Sequence, residues 1–141
     1  MKILNVLTRK RKTGNRGERL AVKYLRKNRY KILECNYVAL QGEIDIIAES
    51  KDALSFIEVK TRTLGHENLR EPRPASAVNP KKQQKIIHTA KYYLGTHKTE
   101  KRINLDIIEV YLNEDGTKNK IIHMKNAFNI NTAYEKRNKT K

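Results

Sequence analysis

A chain of 141 residues with 31 Lys and Arg against 15 Asp and Glu, a formal charge of +16, is expected to form one strongly basic domain. Its single cysteine excludes an intramolecular disulfide and a multi-cysteine zinc site, and no apolar run approaches the ~18 residues of a membrane-spanning helix. An apolar fraction of 38% without Trp predicts an aliphatic core, and the cationic field around it attracts polyanions, nucleic acid first, with no membrane partner.

The opening Met1 to Leu7 is too short for the apolar region of a signal peptide, so a cytoplasmic location is expected. Residues 1–13 read as a flexible basic arm in which Arg9, Lys10, Arg11 and Lys12 contact phosphates, although the cluster also resembles a nuclear signal. A domain is expected over 14–128. Helical spacing begins after Gly14, with Leu20, Ala21, Tyr24 and Leu25 on one face and Arg16, Arg19, Lys23 and Arg26 in solvent. Asn15 is the predicted N-cap with Glu18 placed as in a capping box, and the helix should end near Asn28. A short strand follows over 30–33, ending in the polar Glu34-Cys35-Asn36, and strands over 43–48 and 54–60 form an antiparallel hairpin.

The pattern vanishes from Thr63 to Asn79, which predicts a long, exposed, functional loop. Asn79-Pro80 caps a second helix whose stripe is Ile86, Ile87, Ala90, Tyr93 and Leu94, with Gly95 as its stop. Strands are expected over 103–112 and 120–128, joined by a turn at Glu114-Asp115-Gly116. A disordered basic tail is expected over 129–141. The order helix, three strands, helix, two strands predicts an α/β domain with helices packed on its sheet.

The chemistry concentrates in the hairpin. Asp45 interrupts one apolar strand and Glu58-Val59-Lys60 the next, and such side chains are costly to bury unless paired or bound to metal. Strict alternation puts Asp45 on a face with Glu43 and Ile47, opposite Ile44, Ile46 and Ala48, while Glu58 and Lys60 point together away from Ile57 and Val59. If the strands pair, Asp45, Glu58 and Lys60 converge. Hard carboxylate oxygens suit Mg²⁺ or Mn²⁺, and a lysine beside them can help deprotonate water. The bland alternative is a surface hairpin with a solvated Glu58–Lys60 pair. His66, His88, His97 and His123 lack metal-site spacing and read as surface or packing residues, and helical phase makes at least one of Tyr92 and Tyr93 core.

The segments GEIDIIA and FIEVKTR resemble the PD-(D/E)XK nuclease motif in the form seen in the YraN family of small bacterial proteins. Gly17-Glu18 with Ala21, Tyr24 and Leu25 resembles that family's first-helix signature. Asn36 before Gly42 fits as well, and Val78 to Gln83 with Ala90, Tyr93 and Leu94 resembles its second-helix signature. The resemblance implies a restriction-endonuclease-like α/β core, a mixed sheet of about five strands flanked by two main helices, akin to archaeal Holliday-junction resolvases. It implies Asp45 and Glu58 as metal ligands, Lys60 as the catalytic lysine and Glu18 as an assisting carboxylate. It further implies Lys82 as a helix lysine near a phosphate, and a homodimer as a possible state. Arg16, Arg62, Lys81, Lys82 and Lys85 join the arm as candidate nucleic-acid contacts. Three departures stand out: Ile44 replaces the proline of the superfamily's name, Asn104-Leu105 replaces the usual Arg-Phe before Asp106, and the 63–79 loop is unusually charged. Asp106 is accordingly read as structural. The leading expectation is a metal-dependent endonuclease acting on DNA, possibly branched. The alternatives are a nucleic-acid-binding module that does not cleave and a small basic ribosome-associated protein.

Overall fold

The structure, a computed structural model, describes residues 15–65 and 78–130. The basic arm with Arg9, Lys10, Arg11 and Lys12, most of the 63–79 loop with His66, and the tail beyond residue 130 lie outside the described residues.

The described elements are α1 (Arg16–Lys27), β1 (Lys31–Ala39), β2 (Gly42–Glu49), β3 (Ala53–Thr63), α2 (Pro80–Thr96), β4 (Arg102–Leu112) and β5 (Lys118–Phe128). Both helix starts follow their sequence signals: Asn15 Oδ1 accepts from the Glu18 N–H at 3.0 Å, and Asn79 Oδ1 from the Lys82 N–H at 2.9 Å, with Pro80 in the first turn of α2. The strands lie in the order β1-β2-β3-β4-β5. Neighbours run antiparallel except for β3 and β4, which pair in parallel because α2 carries the chain across. The expected mixed five-stranded sheet with two helices is what forms.

Alternation along the central strands feeds two cores. Ile47, Phe56 and Ile107 pack with Ile86, Ile87, Ala90 and Tyr93 of α2, whereas Ala48, Ile57 and Ile108 pack with Ala21 and Leu25 of α1. The helices therefore cover opposite faces of the sheet. No described helix is long and apolar enough to cross a membrane.

Four expectations need correction. β1 is not confined to 30–33; it runs on through Glu34-Cys35-Asn36 to Ala39. An edge strand tolerates that polarity because its side chains reach solvent, and a register irregularity between Ile32 and Glu34 with Asn36 at φ 54° absorbs the bend. Gly95 does not stop α2, which continues to Thr96; there the His97 ring stacks on Tyr93 at 4.0 Å and the His97 N–H donates to the Tyr93 carbonyl. Val78, at the end of the supposedly exposed loop, is fully buried, and its carbonyl accepts from Gln83 Nε2 at 2.9 Å, anchoring the entry to α2. The fourth concerns the phase of β2 and belongs to the site.

Glycines bring both helices close to the sheet. A Cβ on Gly17 of α1 would overlap the Thr61 side chain of β3, and one on Gly42 of β2 would overlap Thr89 of α2. Gly17→Ala is expected to destabilise the fold by about 1–3 kcal/mol in urea unfolding, since Thr61 Cβ as well as its hydroxyl stands in the way. Gly95→Ala, which meets nothing within 4 Å inside a helix, should stabilise it by about 0.5–1 kcal/mol.

Candidate active site

β2 and β3 pair only between Ile46↔Ile57 and Glu49↔Leu54. One residue before Ile46 the ladder stops, and the Asp45 carboxylate takes over: its Oδ2 accepts from the Val59 N–H at 2.8 Å. β2 stays paired to β1 across the same stretch, with Ile44 opposite Tyr37 and Ile46 opposite Cys35. The strand twists where it is held on one side only. Ile44 and Ile47 consequently belong to the α2-side core and Ile46 and Ala48 to the α1-side core. The expected common face of Glu43, Asp45 and Ile47 is thus overturned, and Asp45 sits in the step between the two phases.

On β3 alternation is regular, with Ile57 and Val59 against the α1-side core and Glu58 buried toward α2. Glu58 Oε1 is contacted by Lys82 Nζ at 2.6 Å and Lys60 Nζ at 3.7 Å. Lys82 arrives from the first turn of α2, whose start is fixed by the Asn79 cap. Asp45, Glu58, Lys82 and Lys85 line one cavity of about 140 Å³. The structure thus places Asp45, Glu58, Lys60 and Lys82 together, Asp45 by a route that differs from strict alternation.

Charge is unevenly settled among these groups. Burial, followed by the Glu58 charge, raises the Asp45 carboxyl from 3.8 to about 8, against the lowering effect of the Val59 N–H. Burial and the Lys82 ammonium lower the Lys60 amine, with Glu58 and Asp45 opposing. Burial also disfavours the Lys82 ammonium, yet its hydrogen bond and attraction to Glu58 prevail, and its pKa is raised. Two lysines on one carboxylate are therefore driven apart: Lys82 keeps its proton and Lys60 yields one more readily.

Glu18 occupies the other side of Asp45. With its amide nitrogen turned toward the carboxylates, Asn36 donates to Glu18 Oε2 and Glu43 Oε1, each at 3.2 Å. The backbone of Glu18 serves the helix cap while its side chain faces the site. Burial, then the charge of Glu43, raises the Glu18 carboxyl, with Asn36 working the other way. Among the described residues, no three His, Cys, Asp or Glu side chains meet in ligating geometry. The chain offers two hard carboxylates with room beside them, the donor set that Mg²⁺ or Mn²⁺ takes when water and a phosphate complete the shell.

The remaining candidates lie around this centre. Arg16 is exposed and donates from Nε to the Gly116 carbonyl at 2.6 Å, while Lys81 and Lys85 are exposed on α2. Arg62 is engaged with Glu109, Nε to Oε2 at 3.5 Å. Glu109 was not anticipated. It is fully buried on β4 opposite Lys60, accepts from the Tyr111 hydroxyl at 2.8 Å, and keeps Oε1 without a partner. Burial and Glu109 push the Tyr111 phenol up to about 12. On the opposite face Asp106 is structural, as expected: Oδ2 meets His123 Nε2 at 2.8 Å, Oδ1 accepts from the Asn126 N–H at 2.8 Å, and His123 Nδ1 meets the Tyr24 hydroxyl at 3.1 Å.

The signs of these shifts can be checked. Because the Asp45 pKa is raised in the fold, its contribution to stability is complete below about pH 4 and is lost as pH rises through about 8. In EDTA, Asp45→Asn should match the parent near pH 4 and exceed it by about 2 kcal/mol at pH 8, a figure discounted for solvent at the carboxyl's open edge. Arg62→Ala strands the buried Glu109 charge and should cost about 2 kcal/mol in urea unfolding, whereas Lys85→Ala, exposed and outside any ion pair among the described residues, should stay within about 0.5 kcal/mol.

The Uncharacterised protein family UPF0102 matches residues 17–110, a span that runs from Gly17 of α1 to Val110 of β4 and holds the whole carboxylate–lysine centre. A UPF0102 protein of Clostridium beijerinckii is 44% identical over 120 residues, covering 84% of this chain and 94% of its own. One from Caldanaerobacter subterraneus subsp. tengcongensis is 45% identical over 121 residues, covering 84% and 96%, and one from Clostridioides difficile 43% over 116 residues, covering 82% and 95%. With the match spanning most of the domain at such identity, the chain belongs to the UPF0102, or YraN-like, family.

Proposed function

We propose that this protein is a metal-dependent endonuclease that hydrolyses phosphodiester bonds in DNA, with branched or otherwise structured DNA as the favoured substrate. The observation that carries the reading is the junction where β2 leaves β3. There a half-buried carboxylate with no cationic partner among the described residues, Asp45, sits beside Glu58 and a lysine of lowered pKa, Lys60. A carboxyl in that position gains from a divalent cation the direct countercharge that no ion pair among the described residues gives it.

Asp45 and Glu58 would hold Mg²⁺ or Mn²⁺. When bound, the ion supplies Lewis-acid polarisation of the phosphoryl oxygen and lowers the pKa of attacking water. Lys60, whose amine is lowered by burial and by Lys82, receives or orients the proton of that water. Lys82, which keeps its ammonium and stands partly exposed at the start of α2, stabilises charge on the phosphate together with Lys85. Glu18, pinned by Asn36, orients water from the α1 side. Arg16, Lys81 and the arm residues Arg9 to Lys12 grip the backbone without reading bases.

A second reading, a nucleic-acid-binding module that does not cut, draws on one observation. Lys82 already compensates Glu58 at 2.6 Å, so the centre is partly balanced without metal. Cleavage separates the two. The parent should cut at least one of linear, nicked or four-way DNA in Mg²⁺ or Mn²⁺, and Asp45→Ala or Lys60→Ala should slow it by at least about a hundredfold. Binding by all three proteins should weaken with salt at a log–log slope of about −0.9 per phosphate neutralised. Equal, salt-sensitive binding with no cleavage of any substrate would leave only the second reading.

A further inference from the structure

Asp45 has open space on both of its sides. The cavity toward α2 carries Lys82 and Lys85 and belongs to the centre already described. The one toward α1, about 170 Å³, has no role in that chemistry beyond Glu18 and Asp45 at its inner end. Its walls are of a different kind. Val22 gives apolar surface above the buried Ile46, Cys35 and Asn36 of β1 line it as well, and Arg19 and Arg26 of α1 are exposed beside it. Arg19, Val22 and Arg26 recur at helical spacing, so one stripe of α1 presents guanidinium, aliphatic contact and guanidinium to the same opening. Neither guanidinium is in an ion pair among the described residues.

We infer that this α1-side cavity is a subsite for one unpaired nucleotide next to a phosphate placed beside Lys82 and Lys85. The inference rests on the phosphodiester reading of the centre and adds to it the class of substrate: DNA with an unpaired nucleotide beside the site of attack. The space admits one planar base and not a base pair. Its apolar wall at Val22 accepts the base face, and the two arginines at the rim serve the adjoining phosphate by forked hydrogen bonds or stack on the base. Asp45 lines both cavities, so a strand with its phosphate beside Lys82 passes its neighbouring nucleotide to the α1 side. Glu18 and Asp45 at the inner end repel a second phosphate, which keeps the phosphate at the rim and the base inside.

Cys35 lines this cavity, is partly accessible and is the chain's single cysteine, which makes its labelling rate a direct report of occupancy. The experiment uses the full chain in EDTA, so that no strand is cut, with iodoacetamide labelling followed by mass spectrometry. A duplex with a single-stranded overhang, at a concentration shown to saturate by fluorescence anisotropy, should slow Cys35 labelling severalfold. A blunt duplex bound to saturation should not. Arg26→Ala and Arg19→Ala, surface changes checked by an unchanged melting curve, should each weaken overhang binding about tenfold and remove the protection. Unchanged Cys35 reactivity under a saturating overhang, or equal protection by blunt duplex, overturns the subsite. If the parent cuts DNA in Mg²⁺ while Cys35 stays unprotected, the subsite fails and the nuclease reading stands. Protection without cleavage of any substrate leaves a nucleotide-binding cavity and removes the nuclease.

Discussion

The arrangement depends on a substitution in the sheet's own hydrogen bonding. Where β2 and β3 should continue their ladder, the side chain of Asp45 accepts the Val59 N–H that a backbone carbonyl would otherwise take. A buried donor is satisfied and the strands are free to separate. Two features follow from that separation: the phase step that places Asp45 between the cores, and the cavity toward α2 with its lysines. The bond also ties the acid to the strand that carries Glu58 and Lys60, so the groups keep their relative placement despite the gap between their strands.

The second organising feature is competition for Glu58. One carboxylate cannot serve two ammonium groups equally, and the shorter contact belongs to Lys82 at 2.6 Å against 3.7 Å for Lys60. Burial presses on both lysines, but only Lys82 is compensated in full, so their proton affinities part in opposite directions. Such a split makes one lysine the readier to give up its proton and the other the firmer cation, without any difference in residue type. It makes Lys82, three residues into a helix and distant in sequence, as important to the behaviour of Lys60 as Glu58 two positions away.

Much of this was visible in the residues and some was not, for identifiable reasons. Asp45, Glu58 and Lys60 announce themselves because ionised groups framed by Ile and Val are costly to bury, and that cost is local to the sequence. The face on which Asp45 lies was misread, since alternation assumes a strand paired on both sides and the loss of pairing to β3 is a tertiary event. Glu109 sits in an equally apolar frame, Ile107-Ile108-Glu109-Val110, so the same criterion points to it. The length of β1 was hidden by Glu34-Cys35-Asn36, whose polarity reflects an edge position that sequence does not reveal. Lys82 could be tied to the site only by resemblance, because its approach to Glu58 depends on how α2 is docked.

That docking has a mechanical consequence. Helices usually rest on a sheet through interdigitated side chains, so their separation shifts when any of those side chains changes size. Here Gly17 against Thr61 and Gly42 against Thr89 let backbone meet side chain directly on either face. The spacing at these two points is set like a hard stop. Repacking elsewhere in the aliphatic cores can tilt or loosen the far ends of the helices, while Glu18, one residue from the first stop, and Asp45, three residues from the second, hold their separation. The glycines thus act as gauges, insulating the carboxylates from drift in the cores that support them.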